Sequence, residues 1–241
     1  MSVEQTAVRY ASFDTLRASG SDSALRWLCG ADELAELERL TAESRRQTWR
    51  WGRVLSRDLL RECGVVCDSS SEQTEILSIN AFGQNDRPAV YVDGVQQAVC
   101  LSISHSDRGI LVALSAAMRV GVDLVDLEQG PLDSLWVWMT NSERAWMHRS
   151  DLRQLATVWA VKEAMYKAVN EGESFSPLSV TVVPGIHDRY SCFYKNRDMT
   201  SICHIHISEM DSHLAAVVEY RIPLDNADRE KRQKLHVGAA R

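Results

Sequence analysis

Apolar residues recur every three or four positions in two long stretches of the chain, and this spacing predicts two long helices. The first stretch, residues 32–63, is followed by Gly64, and the second, residues 151–170, by Gly172; glycine is a residue that often ends a helix. A shorter helical pattern covers residues 142–149. The apolar positions are Leu34, Leu37, Leu40, Val54, Leu55 and Leu59 in the first long helix, and Leu155, Val158, Trp159, Ala164, Met165 and Ala168 in the second.

Short runs rich in β-branched and apolar residues, separated by Gly, Asn and Asp, predict strands in the rest of the chain. They cover residues 75–80, 99–104, 110–115 and 120–124 between the two long helices, and residues 179–183, 191–194, 202–208 and 213–220 after the second. Residues 226–241 are polar and basic without a period, which indicates a loose terminal tail.

A faint repeat relates the two parts of the chain. Residues 103–114 align without gaps on residues 207–218, and both stretches have the pattern of a strand, a turn and a strand. The two long helices precede these hairpins by comparable distances. Two copies of a unit made of a helix and a sheet would explain the length, although chance similarity between two hairpins remains the alternative.

The composition is that of a globular protein with a substantial core. The chain has 241 residues, of which 45% are hydrophobic and 25% charged, enough for one large domain or two small halves. No run of about 18 apolar residues occurs, and residues 1–20 lack the apolar stretch of a signal peptide, so we expect a cytoplasmic protein without membrane contact. The 27 basic and 33 acidic residues give a net charge of −6, which speaks against a basic surface for nucleic acid.

The six cysteines form no Cys-x-x-Cys pair, which favours buried or free thiols over disulfides and zinc sites. Cys203, His204, His206 and His213 are the best zinc candidates in the sequence. Their spacing argues against zinc, because the two histidines of a His-x-His strand usually share one solvent face.

Five arginines are spaced along one side of the first long helix. They are Arg46, Arg50, Arg53, Arg57 and Arg61. Such a row is typical of a solvated helix face. It is also typical of an anion site, because a stripe of like charges repels itself unless something negative lies against it. The arginines alone leave both interpretations open.

Lys162 and Lys167 are the only two lysines in residues 1–194 of a chain that otherwise uses arginine. A compact ammonium serves as a point charge or proton donor where a broad guanidinium does not. Glu163 and Lys167 are four residues apart, so both project from one face of the predicted helix. The alternative is an exposed ion pair of a few tenths of a kcal/mol.

Asp123 lies in an apolar predicted strand and shares a face with Gly121 and Val125. A carboxylate in such a strand is costly unless it is paired or ligates a cation. Ser104 and His105 end an earlier strand and offer a hydroxyl and an imidazole near a turn. These residues are therefore candidates for a polar site.

Three motifs in this order resemble the 4′-phosphopantetheinyl transferases of the Sfp type. They are Ser-His-Ser at residues 104–106, Gly-Val-Asp-Leu-Val-Asp at 121–126, and Trp-Ala-Val-Lys-Glu-Ala-Met-Tyr-Lys-Ala at 159–168. The resemblance extends from the arginine-rich residues 45–53, through Asp-Arg-Pro at 86–88, to about residue 183. Residues 139–143 are similar to the family's loop-to-helix element, in which Thr140 and Glu143 form a capping box.

The resemblance implies an α+β fold of two similar halves, each a helix with an antiparallel sheet, related by a pseudo-twofold axis. The N-terminal half is expected at residues 1–118, the C-terminal half at 119–222 and a polar tail at 223–241, with the active site between the halves. Coenzyme A would be the substrate, and Mg²⁺ would be held between Asp123, Glu163 and the coenzyme A diphosphate. The expected coenzyme A contacts are Arg53, Arg87, Ser104, His105 and Lys162.

The implied reaction moves phosphopantetheine onto a serine of an acyl, peptidyl or aryl carrier protein and releases 3′,5′-ADP. Asp123, Glu163 and Lys167 would be the catalytic residues: Glu163 would help to deprotonate the serine, and Lys167 would stabilise or protonate the leaving phosphate. We expect coenzyme A and a carrier protein as the partners of a monomer, with neither nucleic acid nor membrane involved.

One departure from the family pattern supports an alternative function. Val125 lies where many Sfp-type members have a further metal-binding glutamate, and a member without turnover would bind coenzyme A or a carrier protein only. Strand alternation points Asp126 to the opposite face, so it does not replace that ligand, and we expect Asp126→Ala to be tolerated.

A carrier-docking surface is also predicted. Trp136, Trp138 and Met139 are large apolar residues on a predicted loop, and Arg144 or Arg149 would steer an acidic partner toward them. Burial of these three apolar residues in the core is the alternative.

Overall fold

We analysed a computed structural model, which describes residues 6–19, 30–67, 73–79, 85–129, 131–170, 172–185 and 190–221, with the side chains of 79, 85 and 86 left aside. The predicted tail at 223–241 lies outside the described residues. In the described ranges, no helix is long and apolar enough to span a membrane.

Among its described residues, the N-terminal half begins with a strand, continues with two short helices and a long one, and ends with a hairpin. Its helices are α1 (Phe13–Ala18), α2 (Ala31–Glu38) and α3 (Glu43–Glu62). Its strands are β1 (Ala7–Ser12), β2 (Thr74–Ile79), β3 (Asn85–Val92), β4 (Val95–Gln96), β5 (Cys100–His105) and β6 (Gly109–Ser115). Gly64 follows α3 with a φ of 69°, as expected of the residue that ends a helix.

The C-terminal half has the same order of elements. Its helices are α4 (Asn141–Arg144) and α5 (Leu152–Val169), with 3₁₀ helices at Leu132–Trp138 and Pro177–Ser179. Its strands are β7 (Arg119–Asp126), β8 (Val180–Pro184), β9 (Tyr190–Tyr194), β10 (Arg197–Asp198), β11 (Cys203–Met210) and β12 (His213–Tyr220).

The sheets confirm the internal repeat. All pairs are antiparallel, and the strand orders are β1-β6-β5 and β2-β3-β4 in one half, and β7-β12-β11 and β8-β9-β10 in the other. The registers also correspond: Ile103 lies opposite Val112 in the first hairpin, and Ile207 lies opposite Ala216 in the second. The alignment that suggested the repeat therefore relates equivalent positions of two equivalent hairpins.

A buried apolar cluster joins the halves. It combines side chains of β6 with side chains of β7 and β12, and its members are Leu111, Ala113, Val120, Val122, Leu124, Ala215 and Val217. Two larger clusters lie on either side of it, one around α3 and one around α5. The site described below is therefore supported by three continuous layers of apolar packing.

The first long helix differs from the prediction, because α2 and α3 are separate helices. The chain turns between them, which brings the carboxylates of α2 back onto the arginines of α3. Glu36 lies 3.1 Å from Arg53 across this turn, whereas a continuous helix would separate the two residues by about 25 Å. The helix expected at residues 142–149 is also shorter, since α4 ends at Arg144.

Candidate active site

A cleft runs between the two halves as two adjoining cavities of about 560 and 640 Å³. Ile103, His105 and Lys167 line both cavities. The first also contains Asp123 and Glu163, and the second contains Arg53 and Arg87. The cleft thus brings together residues from both halves that the sequence singled out separately.

Close packing of α5 on β7 forms the floor of the first cavity. A Cβ atom at Gly121 would lie 2.0 Å from the Ala164 carbonyl oxygen, so glycine is needed for this approach. The contact brings Glu163 and Lys167 of α5 close to Asp123 of the strand, with Lys167 Nζ 3.0 Å from Asp123 Oδ1. A backbone contact therefore sets the geometry of the charged groups.

The Lys167 ammonium is bound on three sides. Its Nζ atom donates to the backbone oxygen of Val122 at 2.9 Å, to Asp123 Oδ1 at 3.0 Å and to Ser104 Oγ at 3.1 Å. The Ser104 hydroxyl in turn donates to Asp123 Oδ1 at 2.7 Å. Asp123 is buried, and these two donors come from both halves of the protein.

Glu163 completes the charged cluster. Its Oε2 atom lies 3.8 Å from Lys167 Nζ, and its side chain is half-buried. Burial and the neighbouring Asp123 raise the pKa of Glu163 to about 7, while Lys167 opposes the shift. This carboxyl is therefore suited to gain and lose a proton near neutral pH.

The two carboxylates fit a hard divalent cation only in part. Carboxylate oxygens are the ligands that Mg²⁺ prefers, and it usually takes one or two of them together with phosphate oxygens and water. Val125 is packed in the apolar core beside α5 and offers no ligand. Within the described ranges, no group of three or more Asp, Glu, His or Cys residues could hold a metal. Asp123 and Glu163 therefore suit an ion that obtains its other ligands from a substrate.

The second cavity is basic and aromatic. Arg45, Thr48 and Trp49 of α3 line it together with Ser78, residues to which the sequence gave no separate role. The Arg53 guanidinium lies 4.6 Å from the centre of the Trp49 ring and donates to Glu36 at 3.1 Å and to Ser78 Oγ at 2.8 Å. Arg53 is therefore held in a fixed orientation on the cavity wall.

Arg87 crosses from β3 to the other half. It donates to the backbone oxygens of Ala168 at 3.3 Å and Asn170 at 2.7 Å, at the C-terminal end of α5. A cation is favourable at this end of a helix. Arg87 thus lines the second cavity and binds the C-terminal end of the helix that carries Lys167.

His105 lies at the boundary of the two cavities with an exposed side chain. Neighbouring protein groups displace part of its hydration, and this effect, with the Lys167 charge, lowers the pKa of the imidazole. A neutral ring is therefore favoured at the centre of the cleft.

The arginine row is neither a fully solvated face nor an open anion site. Arg53 and Arg57 are buried and form ion pairs with Glu33 and Glu36 of α2. Arg46 and Arg50 pair with Glu43, and Arg61 pairs with Asp58. Carboxylates of the chain itself thus neutralise much of the row.

The structure contradicts the prediction that Lys162 contacts coenzyme A. Lys162 is completely buried and forms an ion pair with Glu143 at 2.7 Å. Its Nζ atom also donates to the backbone oxygens of Trp138, Pro177 and Val180. These bonds connect α5 to α4 through Glu143 and to β8 through Val180, and Lys162 lines neither cavity of the cleft.

The predicted docking surface is partly core. Met139 is buried and Trp136 packs against the core, but Val137 and Trp138 are exposed at 59% and 44%. The capping box of Thr140 and Glu143 is present and ends this segment. Within this segment, Val137 and Trp138 therefore present the exposed apolar side chains.

The four zinc candidates do not converge. His204 and His206 point to solvent from β11, whereas Cys203 and His213 are buried. His213 Nε2 lies 2.7 Å from Ser106 Oγ, and its Nδ1 lies 3.3 Å from the Tyr10 hydroxyl. His213 is thus part of a hydrogen-bonded contact between the two halves.

Comparison with known proteins gives a family for part of the chain. Residues 119–218 match the family model of the 4′-phosphopantetheinyl transferase superfamily. The matched range lies in the C-terminal half of the chain and covers less than half of its length. No curated protein sequence matches the chain.

Solved structures similar to the chain include holo-[acyl-carrier-protein] synthases. The Thermotoga maritima enzyme is 21% identical, with a TM-score of 0.38, and the match covers 44% of this chain and 64% of that one, slightly less than two thirds of its length. The Helicobacter pylori enzyme in complex with coenzyme A is 20% identical, with a TM-score of 0.33, covering 41% of this chain and 96% of that one. The match to the Chronobacterium ammoniagenes ACPS–CoA complex has 24% identity, a TM-score of 0.34, and coverage of 44% and 98%.

The range that matches the superfamily model contains two of the three site motifs. Residues 121–126 and 159–168 lie inside the matched range, whereas Ser104, His105, Arg53 and Arg87 lie before it. The assignment of these four residues to the site is therefore supported by the internal repeat and by the geometry described above, and not by the superfamily match.

Proposed function

We propose that the protein transfers the 4′-phosphopantetheine group of coenzyme A to a serine hydroxyl of a carrier protein and releases 3′,5′-ADP. The observation that carries this proposal is the cluster of Asp123, Glu163 and Lys167 on the wall of a cleft between the halves. The match of residues 119–218, which include all three residues, to the 4′-phosphopantetheinyl transferase superfamily model supports the same reaction.

Substrate binding would use both cavities. The nucleotide end, with its 3′-phosphate, would occupy the second cavity, where Arg53, Arg87 and His105 line the wall. The phosphopantetheine arm would lie in the first cavity, where Leu132, Leu135 and Trp159 supply apolar surface. The diphosphate would then lie near Lys167, which lines both cavities.

The chemistry is the displacement of one phosphate oxygen by another. The carrier serine oxygen forms a bond to the phosphorus that bears the pantetheine arm, and the bond from this phosphorus to the oxygen shared with 3′,5′-ADP breaks. Glu163 accepts the serine proton directly or through a water molecule, and the Lys167 ammonium stabilises the charge that develops on the leaving phosphate. Mg²⁺ held by Asp123 and Glu163 would neutralise further phosphate charge when bound.

The experiment is incubation of an apo carrier protein with coenzyme A and Mg²⁺, followed by intact-mass measurement. We expect the carrier to gain one phosphopantetheine group. Asp123→Ala and Glu163→Ala should each abolish the gain, and an exposed Lys195→Ala variant is the matched control. Unchanged mass across acyl, peptidyl and aryl carriers, or full activity of Asp123→Ala, would reject the proposal.

A second candidate function is binding of coenzyme A or a carrier protein without transfer. The valine at position 125 favours this candidate. Its side chain packs in the apolar core, so the strand offers no further carboxylate there. Calorimetric binding of coenzyme A with no carrier product would support it. A cytoplasmic location and a monomeric state stay predictions from the sequence.

A further inference from the structure

The ammonium of Lys167 lies where the two carboxylates of the cleft converge. Lys167 Nζ is 3.0 Å from Asp123 Oδ1 and 3.8 Å from Glu163 Oε2. Both distances meet the usual limit for an ion pair. A lysine of the chain therefore already supplies a cation at the position to which the carboxylates would draw a metal ion.

This lysine is held in place by the fold. An ammonium has three N–H donors, and those of Lys167 reach the Val122 carbonyl, Asp123 and the Ser104 hydroxyl. Ser104 belongs to the other half of the protein and also donates to Asp123. Movement of Lys167 away from Asp123 would break this set of bonds and leave a buried carboxylate with fewer donors.

The charges of the cluster decide what else can bind. When both carboxylates are ionised, the cluster of Asp123, Glu163 and Lys167 carries one net negative charge. The neighbouring Val125 adds no charge. A divalent ion would bring the cluster to one net positive charge in a partly buried site. A diphosphate brings at least two negative charges and makes the same ion favourable.

We propose that Lys167 is a resident cation that competes with a divalent metal ion for the Asp123–Glu163 pair until a diphosphate enters the cleft. This inference deepens the proposed function, because it sets the order in which substrate and metal bind. The protein alone binds a divalent ion weakly, and coenzyme A binding relieves the competition. Once the diphosphate is bound, Lys167 contacts phosphate oxygens in addition to the carboxylates.

The experiment measures metal binding, with Mn²⁺ as a spectroscopic probe and no carrier protein present. Lys167→Met keeps the length of the side chain but removes its charge and donors. In the absence of coenzyme A, we expect this variant to bind Mn²⁺ at least about tenfold more tightly than the natural protein. The matched control is Lys195→Met, which removes an exposed lysine paired with Glu173 and should leave Mn²⁺ affinity unchanged.

Thermal unfolding gives a second measurement on the same variants. Removal of Lys167 leaves Asp123 without its ion-pair partner, so Lys167→Met should have a lowered Tm that Mn²⁺ restores, whereas the Tm of the natural protein should change little with Mn²⁺ alone. If Lys167→Met does not fold, Ser104→Ala provides the test, since it removes one anchor of the ammonium and retains all charges. We expect Mn²⁺ to bind this variant about threefold more tightly.

Equal or weaker Mn²⁺ binding by Lys167→Met, or no increase in Ser104→Ala when Lys167→Met does not fold, would overturn the proposal. Tight Mn²⁺ binding by the natural protein without coenzyme A would also overturn it. The titrations involve no carrier and no turnover. Absence of phosphopantetheine transfer and absence of competition therefore appear in different measurements.

Discussion

At the scale of single residues, the geometry around Lys167 restricts which side chain can replace it. Its Nζ atom contacts three oxygens within 3.1 Å, an arrangement that suits a compact ammonium and excludes a planar guanidinium. We expect Lys167→Arg to lower kcat by about a hundredfold, with little change in coenzyme A affinity. Steady-state kinetics with an apo carrier, together with calorimetric coenzyme A binding, measure the two effects.

The control for this substitution is Lys195→Arg, at an exposed ion pair on the surface. It should leave both quantities unchanged. If Lys167→Arg is as active as the natural protein, Lys167 acts through charge alone and the proposed contact with the leaving phosphate is incorrect.

Asp126 has a structural role that the sequence did not reveal. It accepts two hydrogen bonds from Arg108 and two from the backbone N–H groups of Glu128 and Gln129. Burial raises its pKa, but these donors outweigh burial and hold the pKa of Asp126 at about 2, below its ordinary value of 3.8. The expectation that Asp126→Ala is tolerated therefore changes: we expect such variants to lose stability.

For Asp126→Asn, the free energy of unfolding should fall by about 2 kcal/mol at pH 7. Because the pKa is lower in the folded state, this contribution is present above about pH 4 and is lost as the pH falls through about 2. Urea unfolding at several pH values should show the two proteins converging in acid. An exposed Asp133→Asn variant should stay within about 0.5 kcal/mol of the natural protein throughout, and a difference for Asp126→Asn that grows in acid would contradict the assignment.

The lysines and arginines show what the sequence could and could not predict at this scale. Lys162 and Lys167 are five residues apart, about 140° around a helix, so helical geometry alone indicates that they face different directions. The partners of Arg53 and Arg57 could not be predicted in the same way. Glu33 and Glu36 reach them only because the chain turns between α2 and α3, and no periodicity in the sequence marks that turn.

At the scale of elements, the contact between α5 and β7 controls the site. Gly121→Ala would place a methyl group against the backbone of Ala164 and Ala168, neither of which can move without the helix. We expect this substitution to lower the free energy of unfolding by about 3 kcal/mol and to reduce kcat, because α5 carries Glu163 and Lys167. Urea unfolding and the carrier assay together measure the effect.

Gly52→Ala is the matched glycine substitution in the other long helix. Its new methyl group would be 3.4 Å from the Ile103 side chain, an ordinary contact, and alanine is the better helix former. We expect the stability of this variant to be equal or higher. A Gly121→Ala protein as stable as Gly52→Ala would show that α5 can shift without cost.

The 3₁₀ helix Leu132–Trp138 connects the cleft to the surface. Leu132 and Leu135 line the first cavity, while Val137 and Trp138 are exposed close to them in the chain. We expect Trp138→Ala to raise the carrier KM several-fold with little change in kcat, because a docked carrier must reach this side of the cavity. Kinetics at varied carrier concentration measure the effect.

The control for Trp138→Ala is Val95→Ala, which removes another exposed apolar side chain, on β4. It should not change the carrier KM. An unchanged KM for a folded Trp138→Ala protein would leave this corner without a role in docking.

Most long elements were predictable from local pattern, but β1, α1 and β3 were not predicted. The period of the apolar residues gave α5 to within one residue at each end, and Asp151 caps it as an N-terminal residue should. The strand β3 was missed because Pro88 argues against a central strand. The register between β2 and β3 shifts at Leu77 and Ile79, and Pro88 lies in the stretch of β3 opposite this irregularity. A pairing defect of this kind depends on two strands and is invisible in one.

At the scale of the whole molecule, the two halves should unfold together. Leu111 and Ala113 of the first half are packed without exposure against Val120 and Val122 of the second. Arg108 also binds Asp126, Glu128 and Ser212 across the same boundary. We therefore expect a single calorimetric transition, with coincident urea curves from tryptophan fluorescence and circular dichroism. Two resolved transitions would show that the halves are independent units.

The apolar cluster between the halves also shows why one half alone would be an incomplete unit. A primitive chain with only one such unit would expose a sheet face rich in Leu, Ala and Val, and exposed faces of this kind lead to association. Two copies of that chain could cover each other's faces and form a cleft at their boundary, with each copy supplying one wall. In the present protein both halves contribute to each cavity, since Ser104 and His105 line the first beside Asp123, and Lys167 lines the second beside Arg53.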